Sequence, residues 1–125
     1  MVADAVINSP FLLPRRPTES DLVAKYFTVL SDPTRVRVLE LLHERGEMSV
    51  GELTLKLGLG RTNLSNHLAC LRWCGFVLTR REHRTVRYRV ADPRVSELLA
   101  LGRALLADNA QHVAACRRVA GKGCS

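Results

Sequence analysis

Two cysteines four residues apart, Cys70 and Cys74, carry the clearest chemical potential in this chain. In a helix, side chains at that spacing share one flank, and their Cβ atoms lie about 5–6 Å apart. Two thiolates at this distance can bind one soft metal ion, because Zn–S bonds are about 2.3 Å long and bonds to larger ions are longer. A sulfur-only site excludes Mg²⁺ and Ca²⁺, which prefer oxygen ligands. We interpret this cysteine pair as a candidate site for a thiophilic metal; two small buried hydrophobic residues are the alternative.

A metal ion with three or four ligands needs more than the cysteine pair can offer. Cys116, near the end of the last predicted helix, and Cys124, in a glycine-rich tail, are the candidates for a third thiolate. A linear bis-thiolate ion such as Hg²⁺ needs no third ligand. Asp108, His112 and Cys116 follow one stripe of the last predicted helix and form a candidate second site, with a solvated stripe as the alternative.

The cysteine pair lies in a predicted helix that begins at residue 61 or 62 and ends at Gly75, a residue suited to a left-handed helix end. At about 100° per residue, Leu64, Leu68 and Leu71 fall on one narrow face that should pack on the core. The opposite face carries small or hydrogen-bonding groups that suit base edges and phosphates. His67 could be a nitrogen ligand, but a structural or DNA-facing role is favoured. The candidate DNA contacts on this helix are Arg61, Thr62, Asn63, Ser65, Asn66 and His67.

Two short runs rich in arginine and β-branched residues follow the helix, at residues 76–81 and 85–90, with residues 82–84 between them. This pattern predicts two strands joined by a hairpin loop. Because valine and tyrosine alternate with arginine in the second run, its arginines should face solvent. We predict that the hairpin contacts phosphates or the minor groove through Arg84 and Arg87; a merely solvated hairpin is the alternative.

Local signals predict the remaining elements. Thr18 fits a helix N-cap, and Asp32 and Asp92 each precede a proline that suits the first position of a helix. Ser49 followed by Glu52 is a capping box. The predicted order is helix, helix, helix-turn-helix pair, hairpin and a long helix that runs to about residue 119. This order predicts a mainly α fold with a β-hairpin, a winged helix-turn-helix, whose second paired helix enters the major groove.

The composition of the 125 residues limits the class of protein. A formal net charge of +7 favours an anionic partner, most commonly nucleic acid. No apolar run approaches the roughly 18 residues needed to cross a membrane, and the start lacks the features of a signal peptide. We therefore expect no membrane partner and a cytoplasmic protein with reduced thiols. No Ser/His/Asp set, paired-carboxylate motif or glycine-rich phosphate loop appears, so the sequence does not indicate an enzyme.

Composition shifts divide the chain into three parts. Residues 1–17 contain three prolines and are predicted to form a flexible arm. Residues 18–119 hold all the predicted helices and the hairpin, and form the predicted winged helix-turn-helix domain. Residues 120–125 are rich in glycine and are predicted to form a C-terminal tail.

Several motifs resemble the ArsR/SmtB family of metal-responsive bacterial repressors. They are L-S-D-P-T-R-V-R-V-L at residues 30–39, G-E-L at residues 51–53, S-N-H-L-A-C-L at residues 65–71 and V-R-Y at residues 86–88. The resemblance covers roughly residues 21–108. It implies a homodimer that pairs through the first and last helices, so that residues 18–119 would serve both DNA binding and dimerisation. It also implies repression at a double-stranded operator of a detoxification operon, relieved when an inducer binds.

The cysteine pattern resembles one branch of that family in particular. Residues 65–75 match S-N-H-L-x-C-L-R-x-C-G, the pattern of the cadmium- and lead-responsive branch, which takes a further thiolate from the C-terminal region of the partner chain. Related members with thiol sites respond to mercury or arsenite, so Hg(II), Cd(II), Pb(II) and As(III) all stand as candidate inducers. A Cys-x-Cys site on the preceding helix is replaced here by Leu53-Thr54-Leu55, and an Asp/His site on the last helix is reduced to Asp108 and His112.

A thiol redox regulator on the same scaffold is the alternative function. It would respond to oxidation of the cysteine pair rather than to metal binding. A disulfide between Cys70 and Cys74 within an intact helix would be strained, so metal sensing is placed first. Peroxide sensitivity without any metal would reverse that order.

Overall fold

The computed structural model describes residues 12–116. Within them, five helices and three strands follow one another: α1 (Glu19–Val29), α2 (Pro33–Arg45), β1 (Met48–Ser49), α3 (Val50–Leu57), α4 (Arg61–Trp73), β2 (Val77–Glu82), β3 (Thr85–Val90) and α5 (Pro93–Ala115). The predicted order of helices and hairpin is confirmed, and the short strand β1 adds to it. Most of the predicted arm, the last residues of the predicted long helix, and the tail with Cys124 lie outside the described residues.

Local capping chemistry explains where the helices begin. At α1 the Thr18 hydroxyl accepts the Asp21 N–H at 3.1 Å, and the Asp21 carboxylate accepts the Thr18 N–H at 2.8 Å. Ser49 and Glu52 form the same reciprocal capping box at α3. Asp32 accepts backbone N–H groups at the start of α2, ahead of a proline. These are the residues that the sequence pattern indicated, and each such cap contributes about 1 kcal/mol.

The hydrophobic core lies where α2, α3 and α4 meet the sheet. One face of each of these helices contributes aliphatic side chains, and an aromatic ring joins them where the chain leaves α4. Full burial of one such side chain contributes about 1.5–3 kcal/mol. The largest fully buried side chains are Val29, Val38, Leu39, Leu42, Leu53, Leu64, Leu68, Leu71, Phe76 and Val77.

The wing is a three-stranded antiparallel sheet with the strand order β1-β3-β2. β2 and β3 form the predicted hairpin, with Glu82 opposite Thr85 at its tip. His83 adopts a φ of 58° in the turn, a left-handed conformation in which histidine is enriched. β1 pairs with the other edge of β3, where Met48 lies opposite Tyr88. A strand of two residues has no periodic pattern, so it could not be predicted from the sequence.

α5 buries none of its residues within one chain. α1 also leaves large apolar side chains exposed, so the two helices carry a solvent-facing apolar area that we call the α1–α5 surface. None of the helices within residues 12–116 is long and apolar enough to cross a membrane. The exposed large hydrophobic residues of the α1–α5 surface are Leu22, Val23, Tyr26, Phe27, Leu101, Leu105, Leu106 and Val113.

Leu53 and Leu55 provide a matched test of the core. Both lie on α3, but Leu53 is fully buried whereas Leu55 is 86% exposed. Leu53→Ala should lower the free energy of unfolding by about 2–5 kcal/mol, because it removes buried methyl groups and leaves a cavity. Leu55→Ala should change it by no more than about 0.5 kcal/mol. Denaturant unfolding followed by circular dichroism measures both values, and equal effects would contradict this packing of α3.

Candidate functional site

The cysteine pair lies at the C-terminal end of α4. Cys70 is in the last turn and only 5% exposed, and Cys74 caps the helix, where its backbone N–H donates to the Cys70 carbonyl at 3.1 Å. Gly75 then adopts a φ of 83°, a left-handed conformation that glycine takes without strain and that ends the helix. Both thiols are free. The backbone therefore brings the two sulfurs together at one end of α4.

A hydrogen bond between the two thiols divides their protons unequally. The Cys74 S–H donates to the Cys70 sulfur and lowers the pKa of Cys70 to about 6; burial opposes this shift, and the positive charges of Arg35 and Lys25 reinforce it. The pKa of Cys74 is raised, because its proton is held by Cys70 and because burial disfavours a second negative charge. At neutral pH the pair thus carries one thiolate, the form of cysteine that binds metals and attacks electrophiles.

Two basic side chains are buried beside the cysteine pair. Lys25 of α1 and Arg35 of α2 are each 7% exposed. Arg35 has partners on two other elements: its Nη1 donates to the Val29 carbonyl at 3.1 Å, and its Nε donates to His67 Nδ1 at 3.2 Å. Lys25 Nζ is buried and has no hydrogen-bond partner within residues 12–116. The site therefore holds two buried cations and one thiolate, and the nearby Asp32 carboxylate opposes the cations by raising the pKa of Cys70.

Neither cation stands out in the sequence as a functional residue. Lysine and arginine on helices are usually exposed, and they are rarely buried unless they are paired. The spacing does hold a signal, however, since Lys25 is four residues before the buried Val29 and thus shares its helix face. Arg35 likewise precedes the buried Leu39 by four residues. A search for charged residues on apolar helix faces would have found both.

An apolar cavity of about 280 Å³ lies beside Cys74. Trp73 of α4 lines it together with Leu22 and Tyr26 of α1. Lys25 belongs to the same lining, so Cys74 and Lys25 face one shared space. This cavity gives a ligand of the cysteine pair room to approach from the side of α1.

Within one chain, the described residues bring no third ligand to the cysteine pair. No group of three or more His, Cys, Asp or Glu side chains among residues 12–116 could hold a metal ion. Cys116 directly follows α5, is half-buried and takes part in a disulfide bond, so it must be reduced before it can bind a metal. Asp108 and His112 are exposed on α5, and a second site there would need ligands from elsewhere. Cys124 lies outside the described residues.

α4 exposes the face opposite its buried leucines. Among the predicted DNA contacts, His67 differs from the rest, because it is only partly exposed and its Nδ1 accepts the bond from Arg35. The same atom lies 3.9 Å from the Asp32 carboxylate. His67 therefore braces α4 against α2, while the exposed residues that a DNA groove could reach are Arg61, Thr62, Asn63, Ser65 and Asn66.

The two predicted wing contacts have different surroundings. Arg84 is exposed in the turn of the hairpin. Arg87 was predicted to face solvent but is half-buried. The prediction was wrong there because its Nη2 donates to the Glu47 carbonyl at 3.1 Å and to Glu52 Oε1 at 3.2 Å. Arg80 binds the Glu47 carboxylate as well, through its Nε and Nη2. Acidic residues thus hold the base of the wing, and Arg84 is the more available of the two to a phosphate.

A helix-turn-helix pair with a polar outer face, followed by a basic wing, defines a winged helix-turn-helix DNA-binding regulator. The profile of the arsR family of bacterial regulatory proteins matches residues 32–79. Over 106 residues, the chain is 42% identical to a protein of Streptomyces lividans described as a probable mercury resistance operon repressor, covering 85% of this chain and 84% of that protein. The chain belongs to the arsR family, which confirms the resemblance drawn from its motifs. It is a transcriptional regulator and not an enzyme.

Solved structures share the same architecture. The crystal structure of Rv0081 from Mycobacterium tuberculosis matches with a TM-score of 0.71 at 41% identity, covering 77% of this chain and 96% of that one. The solution structure of a homodimeric winged helix-turn-helix domain, Mb0332 from Mycobacterium bovis, matches with a TM-score of 0.65 at 30% identity, covering 78% and 92% of the two chains. The predicted fold class, a mainly α winged helix-turn-helix, is confirmed.

Thiolate absorbance in the ultraviolet tests the shared proton. In a Cys116→Ser/Cys124→Ser background, only the cysteine pair absorbs. The thiolate should appear with a midpoint at about pH 6 and be lost below it, because the pKa of Cys70 is lowered in the folded protein. Cys74→Ala removes the donated hydrogen bond and should move the midpoint upward, toward the ordinary thiol value of about 8.5.

The same titration in denaturant is the control, since both proteins should then show the ordinary thiol value. A folded midpoint that Cys74→Ala leaves unchanged would contradict the hydrogen bond between the sulfurs.

Proposed function

We propose that this regulator is a homodimeric repressor that releases operator DNA when a thiophilic metal ion binds the cysteine pair. The observation that supports it most is the position of Cys70 and Cys74, which share a proton at the end of the helix with the exposed polar face. A ligand bound there acts directly on the element that would contact DNA. Hg(II), Cd(II), Pb(II) and As(III) are the candidate inducers.

The α1–α5 surface supports dimerisation through the first and last helices. Burial of apolar surface contributes about 25 cal/mol for every Å² removed from water, and extended apolar patches usually mark interaction sites. In the proposed dimer, α1 and α5 pack against the same helices of the partner. The two α4 helices would then enter successive major grooves, about 34 Å apart. The homodimeric state of the Mb0332 domain is consistent with this arrangement.

The exposed face of α4 suits the major groove. Asn63 and Asn66 can bind adenine edges in a bidentate manner, and Ser65 can bond to a base or a phosphate. Arg84 of the wing would contact a phosphate or the minor groove. The net charge of +7 adds attraction to any duplex, which makes the affinity strongly dependent on salt.

The donor set fits a thiophilic ion. Cys70 and Cys74 offer two soft sulfurs, of which one is already deprotonated at neutral pH. Cys116 or Cys124 of the partner chain would supply a third thiolate to ions that require one. A bound metal would thereby link the end of α4 to the C-terminal region of the partner. The description of the Streptomyces lividans relative as a mercury resistance repressor supports this class of inducer.

α4 can convert a change at the cysteine pair into a displacement at the DNA. Its 13 residues span roughly 20 Å at a rise of about 1.5 Å per residue. A tilt of about 10° at the Cys70 end would move the Arg61 end by roughly 3 Å, the length of a hydrogen bond. Because Leu64, Leu68 and Leu71 pack α4 as a rigid rod, the displacement would reach every base contact.

Fluorescence anisotropy of the reduced protein on a labelled duplex from its own upstream region tests the proposal. At least one of Hg²⁺, Cd²⁺, Pb²⁺ and arsenite should weaken DNA binding by about 5–150-fold, the usual range for such coupling. Cys70→Ser and Cys74→Ser should bind DNA like the wild type and resist release. Cys116→Ser and Cys124→Ser then identify the third ligand. Only the variant that lacks this ligand should release DNA weakly when the metal is added.

Mg²⁺ is the control ion, because it does not bind thiolates and should leave the complex intact. Metal-induced release from the Cys70→Ser/Cys74→Ser double variant would place the sensor elsewhere. If the protein binds DNA specifically but no soft ion changes that binding, the assignment as a repressor stands and the proposed metal site is wrong.

Thiol oxidation is the second candidate function. The lowered pKa of Cys70 supports it, since the thiolate is the form that oxidants attack. Peroxide added to metal-free protein in the presence of a chelator should release DNA, and a reductant should restore binding. If peroxide does not change the affinity for DNA, the protein is not a redox sensor.

Arg84 and Arg87 should separate DNA contact from wing stability. Arg84→Ala should weaken DNA binding and lower the slope of log affinity against log salt concentration by about 1, because one phosphate contact is lost, with stability unchanged. Arg87→Ala removes the bonds to Glu47 and Glu52, so it should lower the melting temperature. Anisotropy across a salt series and thermal unfolding measure the two effects. Equal losses of stability in both variants would contradict the assignment.

A further inference from the structure

Lys25 has no bonded role in the fold. It is 7% exposed, its Nζ has no hydrogen-bond partner within residues 12–116, and it lines the same cavity as Cys74. A buried ammonium without a partner is destabilising. Glu19 also lines the cavity, but it is exposed and no ion pair joins it to Lys25 among the described residues, so negative charge placed beside the buried ammonium would compensate it.

The charge of a metal–thiolate complex depends on the metal and on the number of sulfurs. A divalent ion with two thiolates is neutral, and this is the complex of linear Hg²⁺. Trivalent arsenic with three thiolates is also neutral. Cd²⁺ or Pb²⁺ with three thiolates carries one net negative charge. Among the candidate inducers, therefore, only these two ions form an anionic complex at the site.

We propose that Lys25 is a specificity-determining residue: its ammonium is the counter-ion of an anionic tris-thiolate complex at the cysteine pair and so favours Cd²⁺ and Pb²⁺ over ions that form neutral complexes. The inference rests on the proposed function, since it requires Cys70 and Cys74 to be metal ligands. The cavity shared by Lys25 and Cys74 brings the ammonium to the complex. Attraction between opposite charges is stronger in such a buried site than in water.

Arg35 does not act as a counter-ion in the same way. Its guanidinium is bonded to the Val29 carbonyl and to His67, so its removal would break contacts between α1, α2 and α4. Lys25 can be neutralised without the loss of a described hydrogen bond. Lys25→Met keeps an unbranched side chain of similar length and removes only the charge, which isolates the electrostatic contribution.

Competition titrations of the reduced, full-length protein with chelators test this inference. Lys25→Met should weaken binding of Cd²⁺ and Pb²⁺ about tenfold or more, and leave binding of Hg²⁺ and arsenite within about twofold. Lys25→Arg keeps the charge and should bind all four like the wild type. Lys56→Met removes one charge from an exposed position on α3. It should not change the affinity for any of the four ions, because solvent screens a charge at that position. Sulfur-to-metal charge-transfer absorbance reports the number of thiolates on each ion.

The outcomes distinguish this inference from the function on which it rests. If wild-type protein binds none of the four ions through the cysteine pair, the proposed function fails. If it binds them but the ratio of Cd²⁺ to Hg²⁺ affinity is the same in Lys25→Met, only the role of Lys25 fails. An equal loss for all four ions also rejects that role, because Lys25 would then act on the thiols or on the fold. Lys25→Gln, a second neutral variant, must reproduce the shift, and thermal unfolding without metal checks that both variants fold.

Discussion

Burial of the leucine face of α4 is the constraint on which the candidate site depends. Leu64, Leu68 and Leu71 are fully buried, so α4 cannot turn about its axis without exposing side chains that each contribute about 1.5–3 kcal/mol. With that face fixed, helical geometry directs the polar residues to solvent and brings Cys70 and Cys74 beside α1 and α2. One packing interaction thereby sets both the exposed polar face and the thiol pair within a single helix.

The positive charges around the thiols come from two helices, α1 and α2. Arg35 of α2 reaches the end of α1 through the Val29 carbonyl and α4 through His67. Lys25 of α1 adds a second positive charge at the same place. The two sulfurs hold one negative charge by sharing a proton, and the Asp32 carboxylate adds a second negative charge beside them.

The features that were predicted correctly are those that depend on neighbours in the sequence. Thr18, Asp32 and Ser49 begin helices because a cap bonds to backbone groups two or three residues away. The leucine spacing predicted the buried face of α4, since that face follows from the period of the helix. The β-branched runs predicted the hairpin, but their alternation did not predict which side chains of β3 are shielded. The proximity of Cys70 and Cys74 was predictable for the same reason, as were the family motifs.

Tertiary structure decided whatever depends on residues distant in the chain. The strand β1 exists because Met48 meets Tyr88, and Arg87 is held by Glu52, a residue 35 positions earlier. α5 has an apolar pattern, yet within one chain none of its residues is fully buried, and only part of it, including Val95 and Leu99, packs on the core; its placement alone reveals this. The sequence by itself determined the thiols and the helix that carries them. The fold decided which charges surround them, because burial of Lys25 and Arg35 results from helix packing and not from local propensity.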